Sequence, residues 1–258
     1  MTDGKLKIEN RRKKILQQLN RAGKVSVTEL SAMLNVTAVT IRNDLTELEQ
    51  EGCLLRVQGG AVKATVTEEG LEGQLFRAVH SQQKASIAKT VAAMVRDGDT
   101  LFLNSGTTCE YVAEALRIRK NLNVVTNALK VATKLGDVPT FRVLLIGGEI
   151  NAQYGFTHGG DAQEQLSKYQ ADWAILSVDG VSAKGGVTTH HAEEAIIDRI
   201  MSAGAKETII AADGSKIGRA GFSRVAPCTS ALTLVTDSSA GAEALEALKE
   251  GGLLCTLA

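Results

Sequence analysis

Aromatic residues are scarce, at 3% of 258 residues, so a core in this chain must be built from Leu, Val, Ile and Ala. Hydrophobic residues reach 44%, which is ample for one large domain or two smaller ones. Net charge is absent, with 29 basic residues balancing 29 acidic ones, and no acidic or basic tail stands out. The four cysteines, Cys53, Cys109, Cys228 and Cys255, are scattered and form no CxxC pair. That argues against a disulfide frame or a zinc site and for free cytosolic thiols. No apolar run approaches the roughly 18 residues that span a membrane. Met1–Lys14 is polar and lacks the apolar segment of a secretory signal. The reading predicts a soluble, cytoplasmic protein with no membrane partner, no metal and no internal repeat.

What is present divides into two kinds of pattern. Residues 1–62 read as three helices and a hairpin, opening on a basic cluster of Lys5, Lys7, Arg11, Arg12, Lys13 and Lys14 against Glu9. Such a cluster is either a solvated helix face or a nucleic-acid patch. The first helix covers about Ile8–Arg21, with Ile15, Leu16 and Leu19 inward, and stops at Gly23. Ser26 then caps a second helix carrying Leu30, Met33 and Leu34, and Glu29 completes a capping box. After the turn Asn35-Val36-Thr37, a third helix over about Ala38–Glu51 buries Ile41, Leu45 and Leu48, and Gly52 is placed to end it. Leu54–Val57, Gln58-Gly59-Gly60 and Ala61-Val62 form a hairpin. Residues 63–80 are polar and aperiodic, as in a linker. From residue 81 to 258, helical stretches alternate with apolar runs at 100–103, 123–126, 142–146, 173–178, 208–212 and 232–236. Strands alternating with helices predict an α/β domain with a mostly parallel sheet.

Helix, short turn, helix and hairpin make the winged helix-turn-helix plan, whose second motif helix enters the major groove of DNA. Thr37, Thr40, Arg42 and Asn43 fall near the start of that helix and away from its buried stripe. Hydroxyls and helix-start N–H groups suit phosphates, Arg suits guanine and Asn suits adenine. Arg56 and the Gly59-Gly60 turn would touch the DNA backbone as a wing. The bland alternative is a solvated helix with a glycine hairpin. The run "VTIRNDLTELEQEG" followed by "RVQGGA", within residues 11–62, resembles the N-terminal domain of the DeoR family of bacterial transcription regulators. Asn43 departs from that family, which more often has a second Arg there.

The resemblance continues through "SGTT", "VVTNAL", "LLIGGEIN", "ADWAILSVDGVSAKGGVTTHHAEEA" and "AADGSKIG", in the family's order. It implies a C-terminal domain resembling ribose-5-phosphate isomerase in fold. It also implies a phosphorylated sugar as effector, and control of operator binding by that effector. The residues themselves point to a site, because ligands of open parallel sheets bind beyond the carboxyl ends of the strands. Asn104, Ser105, Gly106, Thr107 and Thr108 form a strand–loop–helix start suited to a phosphate. The family's loop usually begins with Asp where this chain has Asn104. Thr126-Asn127, Gly147-Gly148 and Asp179 follow the next three runs, and Lys216 offers a positive charge. Each glycine or threonine alone is equally an ordinary turn.

Lys184-Gly185-Gly186 followed by Glu193 resembles the isomerase's catalytic segment, with Glu194 the alternative carboxylate. In the enzyme a carboxylate moves a proton beside a carbonyl and a lysine stabilises the oxyanion. The acidic cluster ahead of the lysine is reduced to Asp179, so the reading predicts no catalysis. "GSK" at 214–216 lacks the upstream glycine of a nucleotide loop, and adjacent His190-His191 do not face one metal together. No cofactor is expected. The reading that emerges is a regulator, a repressor of a sugar-use operon, with operator DNA, a phosphosugar and further copies of itself as partners. Its rivals are an isomerase with a DNA-binding appendage and a phosphosugar-responsive activator.

Overall fold

The computed structural model describes residues 11–12, 14–16, 18–19, 22–50, 54–57, 59–63 and 80–258. Lys5, Lys7, Lys13, Gly52, Cys53, Gln58, the start of the first helix and positions 64–79 of the expected linker lie outside the described residues. The chain divides into two compact units, Met1–Ser81 and Gln82–Ala258.

In the first unit, the described residues of 11–22 are helical up to Gly23. There follow β1 (Lys24–Ser26), α1 (Val27–Leu34), α2 (Ala38–Gln50), β2 (Leu54–Val57) and β3 (Gly60–Lys63). Ser26 caps α1 as its spacing predicts. The Ser26 hydroxyl accepts from the Glu29 N–H at 3.1 Å, and the Glu29 carboxylate accepts from the Ser26 N–H at 3.2 Å. Asn35 closes α1 in a left-handed conformation, a geometry Asn tolerates. The core gathers Ile15, Leu19, Leu30, Ile41, Leu45, Leu48, Leu54 and Ala61. Met33 is 50% exposed, because Leu30 and Leu34 already fill the inward face of α1. The hairpin is also larger than expected. β1 pairs antiparallel with β3 to give a sheet of order β1-β3-β2. Three residues are too few to show an alternating pattern in sequence.

The second unit comprises α3 (Ser81–Met94), β4 (Thr100–Leu103), α4 (Thr107–Leu116), β5 (Asn123–Thr126), α5 (Leu129–Gly136), β6 (Arg142–Leu145), β7 (Glu149–Asn151), β8 (Phe156–His158) and α6 (Gly160–Leu166). It continues with β9 (Ala171–Ser177), β10 (Gly180–Ser182), β11 (Gly186–Thr189), α7 (Ala192–Ala203), β12 (Ala205–Ala211), β13 (Ser223–Ala226), β14 (Leu232–Thr236), α8 (Ala242–Glu250) and β15 (Leu254–Leu257). All six apolar runs are strands of one parallel sheet. Its order is β15-β14-β12-β9-β4-β5-β6. Apolar side chains cover both faces. Ile87, Val91, Val112, Val131 and Leu135 lie on one side, and Leu166, Ile197, Met201 and Leu248 on the other. Burial on both faces explains why these strands read as continuous apolar runs.

The strand order positions the site. From β4 the chain steps outward through β5 to β6, and from β9 it steps the other way through β12, β14 and β15. β4 and β9 are neighbours, so the carboxyl ends of these two strands form the topological switch point, the place where ligands of open α/β sheets bind. A small antiparallel sheet of order β10-β11-β13 flanks that end.

Candidate DNA interface and effector site

The start of α2 is built as the sequence predicts and then tightened. The Thr37 hydroxyl accepts from the Thr40 N–H at 3.2 Å, and the two hydroxyls lie 2.9 Å apart. Arg42 and Asn43 are exposed, and no hydrogen bond ties either side chain to another described residue. The basic cluster is partly spent inside the protein. Arg11 grips the buried Asp44 through two nitrogens, the second at 3.0 Å, and Arg12 reaches the same carboxylate at 3.4 Å. This pair fastens the first helix to α2.

The wing residues fall in different places. The Arg56 guanidinium turns back onto α2, donating to the Thr46 hydroxyl at 3.0 Å, and the Arg56 N–H donates to Glu49 at 2.9 Å. Gly59 makes the exposed turn with φ +83°. Gly60 is buried in β3, where an added Cβ would stand 2.0 Å from the Val25 carbonyl oxygen. Its role there is close packing against β1.

In the second unit, Ser105, Asp179, Glu194 and Lys216 come together through Thr189, a residue the sequence reading did not single out. The Ser105 hydroxyl donates to Glu194 at 2.5 Å. The Thr189 hydroxyl lies 2.7 Å from the other Glu194 oxygen and 3.0 Å from Asp179. Asp179 also accepts from the His190 N–H at 2.9 Å and faces the Lys216 ammonium at 3.6 Å. One hydroxyl carries one proton, so Thr189 donates to one carboxylate and accepts from the other only when that one is protonated. Glu194 is the group suited to hold the proton, because burial raises its pKa against the lowering effect of Ser105 and Thr189.

Behind this cluster stands Asp198, one helical turn after Glu194. It is fully buried, and burial holds its pKa well above the usual carboxylate range, with ionisation of Glu194 raising it further. Asn104 is equally buried. Its amide donates to the Asp198 carboxylate and to the Ser177 carbonyl, each at 2.9 Å. Its oxygen accepts from the Ser177 N–H at 2.8 Å. With the Cys109 thiol donating to the same oxygen, the Asn104 side chain is spent on joining β4 to β9 and has nothing left for a ligand.

The loop itself suits an anion. Gly106 is the N-cap of α4, with φ +110°, and no side chain caps the helix. A Cβ at Gly106 would stand 2.7 Å from the Ser177 hydroxyl oxygen. The first N–H groups of α4, at Thr107 and Thr108, therefore remain available to an incoming acceptor. Lys84 of α3, also unforeseen, is 5% exposed and within electrostatic reach of Asp213, Lys216 and Glu110. Burial lowers its pKa, and the Asp213 and Glu110 charges oppose that effect. A single lysine in a polar helical stretch carried no signal of this placement.

Other expected residues are scaffold. The Thr126 hydroxyl accepts from the Ala128 N–H at 3.0 Å. Asn127 is buried and donates to the Thr157 carbonyl at 3.0 Å, while its side-chain oxygen is buried without a partner among the described residues. The Gly147 N–H donates to Gln165 at 3.1 Å, and Gly148 packs against β8. Two residues lie apart from the cluster. Lys184 is exposed on the tip between β10 and β11. The Glu193 carboxylate turns out to His191 at 3.8 Å. The inward carboxylate is therefore Glu194.

Comparison with known proteins accounts for both units. A family model described as the DeoR C terminal sensor domain matches residues 79–238, and one described as the DeoR-like helix-turn-helix domain matches residues 11–67. The putative aga operon transcriptional repressor of Escherichia coli O157:H7 is 32% identical over 94% of this chain and 91% of its own length. The glycerol-3-phosphate regulon repressor of Escherichia coli K12 is 32% identical over 83% of this chain and 84% of its own. Ribose 5-phosphate isomerase A from Methanocaldococcus jannaschii is 16% identical over 53% of this chain and 54% of its own, with a TM-score of 0.39. That likeness is too slight to argue from, and the fold class stands on the strand order.

Proposed function

The chain belongs to the DeoR family of transcription regulators, and on that premise we propose that it represses a sugar-use operon and is released or retained by a phosphorylated sugar. The domain division proposed is a DNA-binding domain over 1–62, a linker over 63–80 and an effector-binding and oligomerisation domain over 81–258. Operator DNA is read by α2, with Thr37, Thr40, Arg42 and Asn43 at its start. The effector's phosphate sits on the Ser105–Thr108 loop, with Lys84 and Lys216 as cations, and its hydroxyls face Asp179 and Glu194. The observation that carries this reading is an uncapped helix start at the switch point, faced by a hydrogen-bonded row of Ser105, Glu194, Thr189 and Asp179 that ends on the Lys216 ion pair.

A phosphate gains from helix-start N–H groups and buried cations, and sugar hydroxyls gain from carboxylates. The relatives are named as repressors, one of them of a glycerol-3-phosphate regulon. The isomerase reading would need Lys184 and an inward carboxylate at one reacting centre, whereas Lys184 stands on an exposed hairpin tip. One winged domain covers a modest stretch of DNA, so tight binding calls for paired half-sites and a homo-oligomer. A regulator of this kind works in the cytoplasm.

The test is a titration of a fluorescent duplex, chosen by selection from random sequence, with and without a panel of sugar phosphates. A ligand shifts the equilibrium only through differential affinity for the two forms, typically about 1–3 kcal/mol, or roughly 5–150-fold. A shift of that size with at least one sugar phosphate is expected. No selected duplex, or no effect of any sugar phosphate, would contradict the reading.

A further inference from the structure

The outward row of α2 is not wholly polar. Opposite the buried Ile41, Leu45 and Leu48, the 3.6-residue period places Val39, Asn43 and Thr46 in one line. Val39 is 62% exposed, at the second position of the helix. Its isopropyl group contributes nothing to a core that has closed without it.

The polar neighbours are largely occupied. Thr37 and Thr40 hold each other, and Thr46 donates to the Arg42 carbonyl at 2.8 Å while accepting from Arg56. The side chains left for a partner at the centre of the row are the Val39 methyls and the Asn43 amide. Four residues apart on a helix, their Cβ atoms are about 5–6 Å from each other. Base pairs rise about 3.4 Å along the duplex, so the two residues meet the same or neighbouring base pairs.

Thymine alone presents a methyl group in the major groove, and it does so opposite an adenine edge that suits an asparagine amide. We propose that Val39 determines operator specificity by packing its isopropyl group against a thymine 5-methyl, beside the base pair read by Asn43. This rests on α2 being the recognition helix. It adds an apolar element to what a reading of polar residues gives.

The experiment uses the full chain and a duplex selected from random sequence. Each thymine of the selected site is replaced in turn by deoxyuridine, which removes one methyl and nothing else. Affinity is measured at fixed salt for the wild type and for Val39→Ala. Ala is the better helix former and the position is exposed, so the variant keeps the fold. One thymine per half-site is expected to be sensitive, with a loss of about fourfold, the worth of one buried methyl-sized group. Val39→Ala, whose one remaining methyl lies nearer the helix axis, should lose most of that sensitivity. A wild type that tolerates every deoxyuridine, or a variant that keeps the sensitivity, overturns the proposal while leaving DNA binding intact. If selection enriches no sequence at all, the recognition-helix reading falls and this proposal with it.

Discussion

The Asn104 amide donates to the Asp198 carboxylate at 2.9 Å across 94 residues of sequence, inside a fully buried pocket behind the loop that faces the switch point. The second Asp198 oxygen is buried without a partner among the described residues. A carboxyl in that setting binds its proton more tightly folded than unfolded. The folded state then holds more protons, so stability falls as pH rises from the ordinary Asp value of about 3.9 upward.

Asp198→Asn removes this titration while keeping an oxygen acceptor for Asn104. The variant should melt at a higher temperature than the wild type at pH 8, with the gap narrowing toward pH 5. Thermal melts of both proteins over that range check it. A gap independent of pH, or a variant less stable at pH 8, would show that Asp198 is ionised in the fold.

Glu194 and Glu193 are sequence neighbours with opposite surroundings, and the difference is measurable in urea. Glu194→Ala leaves the Ser105 and Thr189 hydroxyls without the carboxyl group they share. That should cost about 1–3 kcal/mol. Glu193→Ala, whose carboxylate is half-buried and faces only His191 among the described residues, should stay within about 0.5 kcal/mol of wild type. Equal costs for the two would mean that the assignment of the inward carboxylate is wrong.

Six strands and the helix-turn-helix were legible because their patterns are strong. Both faces of β4, β5, β9, β12 and β14 are covered, which leaves apolar runs, and Ser26 with Glu29 is a local signal that needs no tertiary context. The loop at Ser105–Thr108 was legible for the same local reason. The division of labour within the site was not. That Asn104 points inward, that Glu194 rather than Glu193 faces Ser105, and that Lys84 is buried within reach of Asp213 and Glu110 all depend on long-range packing. β15 and β1 were missed because Cys255 and Thr256 blunt one apolar run and the other is only three residues long.

Lys84 should matter to the effector. Lys84→Met keeps the apolar stem and deletes the charge. A charge-assisted hydrogen bond is worth about 1.5–3 kcal/mol, so affinity for the sugar phosphate that shifts operator binding should fall roughly tenfold to a hundredfold. Calorimetric titration of wild type and variant, each shown to melt cooperatively, checks it. Undiminished affinity would remove Lys84 from the phosphate site.

On the proposed reading of α2, the exposed Arg42 makes a bidentate base contact, worth about 1–3 kcal/mol. Arg42→Ala should weaken binding to the selected duplex by roughly tenfold or more at fixed salt, with an unchanged melting curve. Binding equal to wild type would mean that α2 presents another face to the groove.

The central claim is that the Ser105–Thr108 loop seats the effector's phosphate and that its occupancy is felt at the operator. Thr107→Val with Thr108→Val keeps the volume of the loop and deletes two hydroxyl donors. The measurement is the operator dissociation constant of wild type and double variant, each with and without the sugar phosphate that moves the wild type. The account predicts near-equal affinities without ligand, and a response to ligand in the wild type alone. A double variant that responds as the wild type does would contradict it and reduce the loop to an ordinary turn between strand and helix.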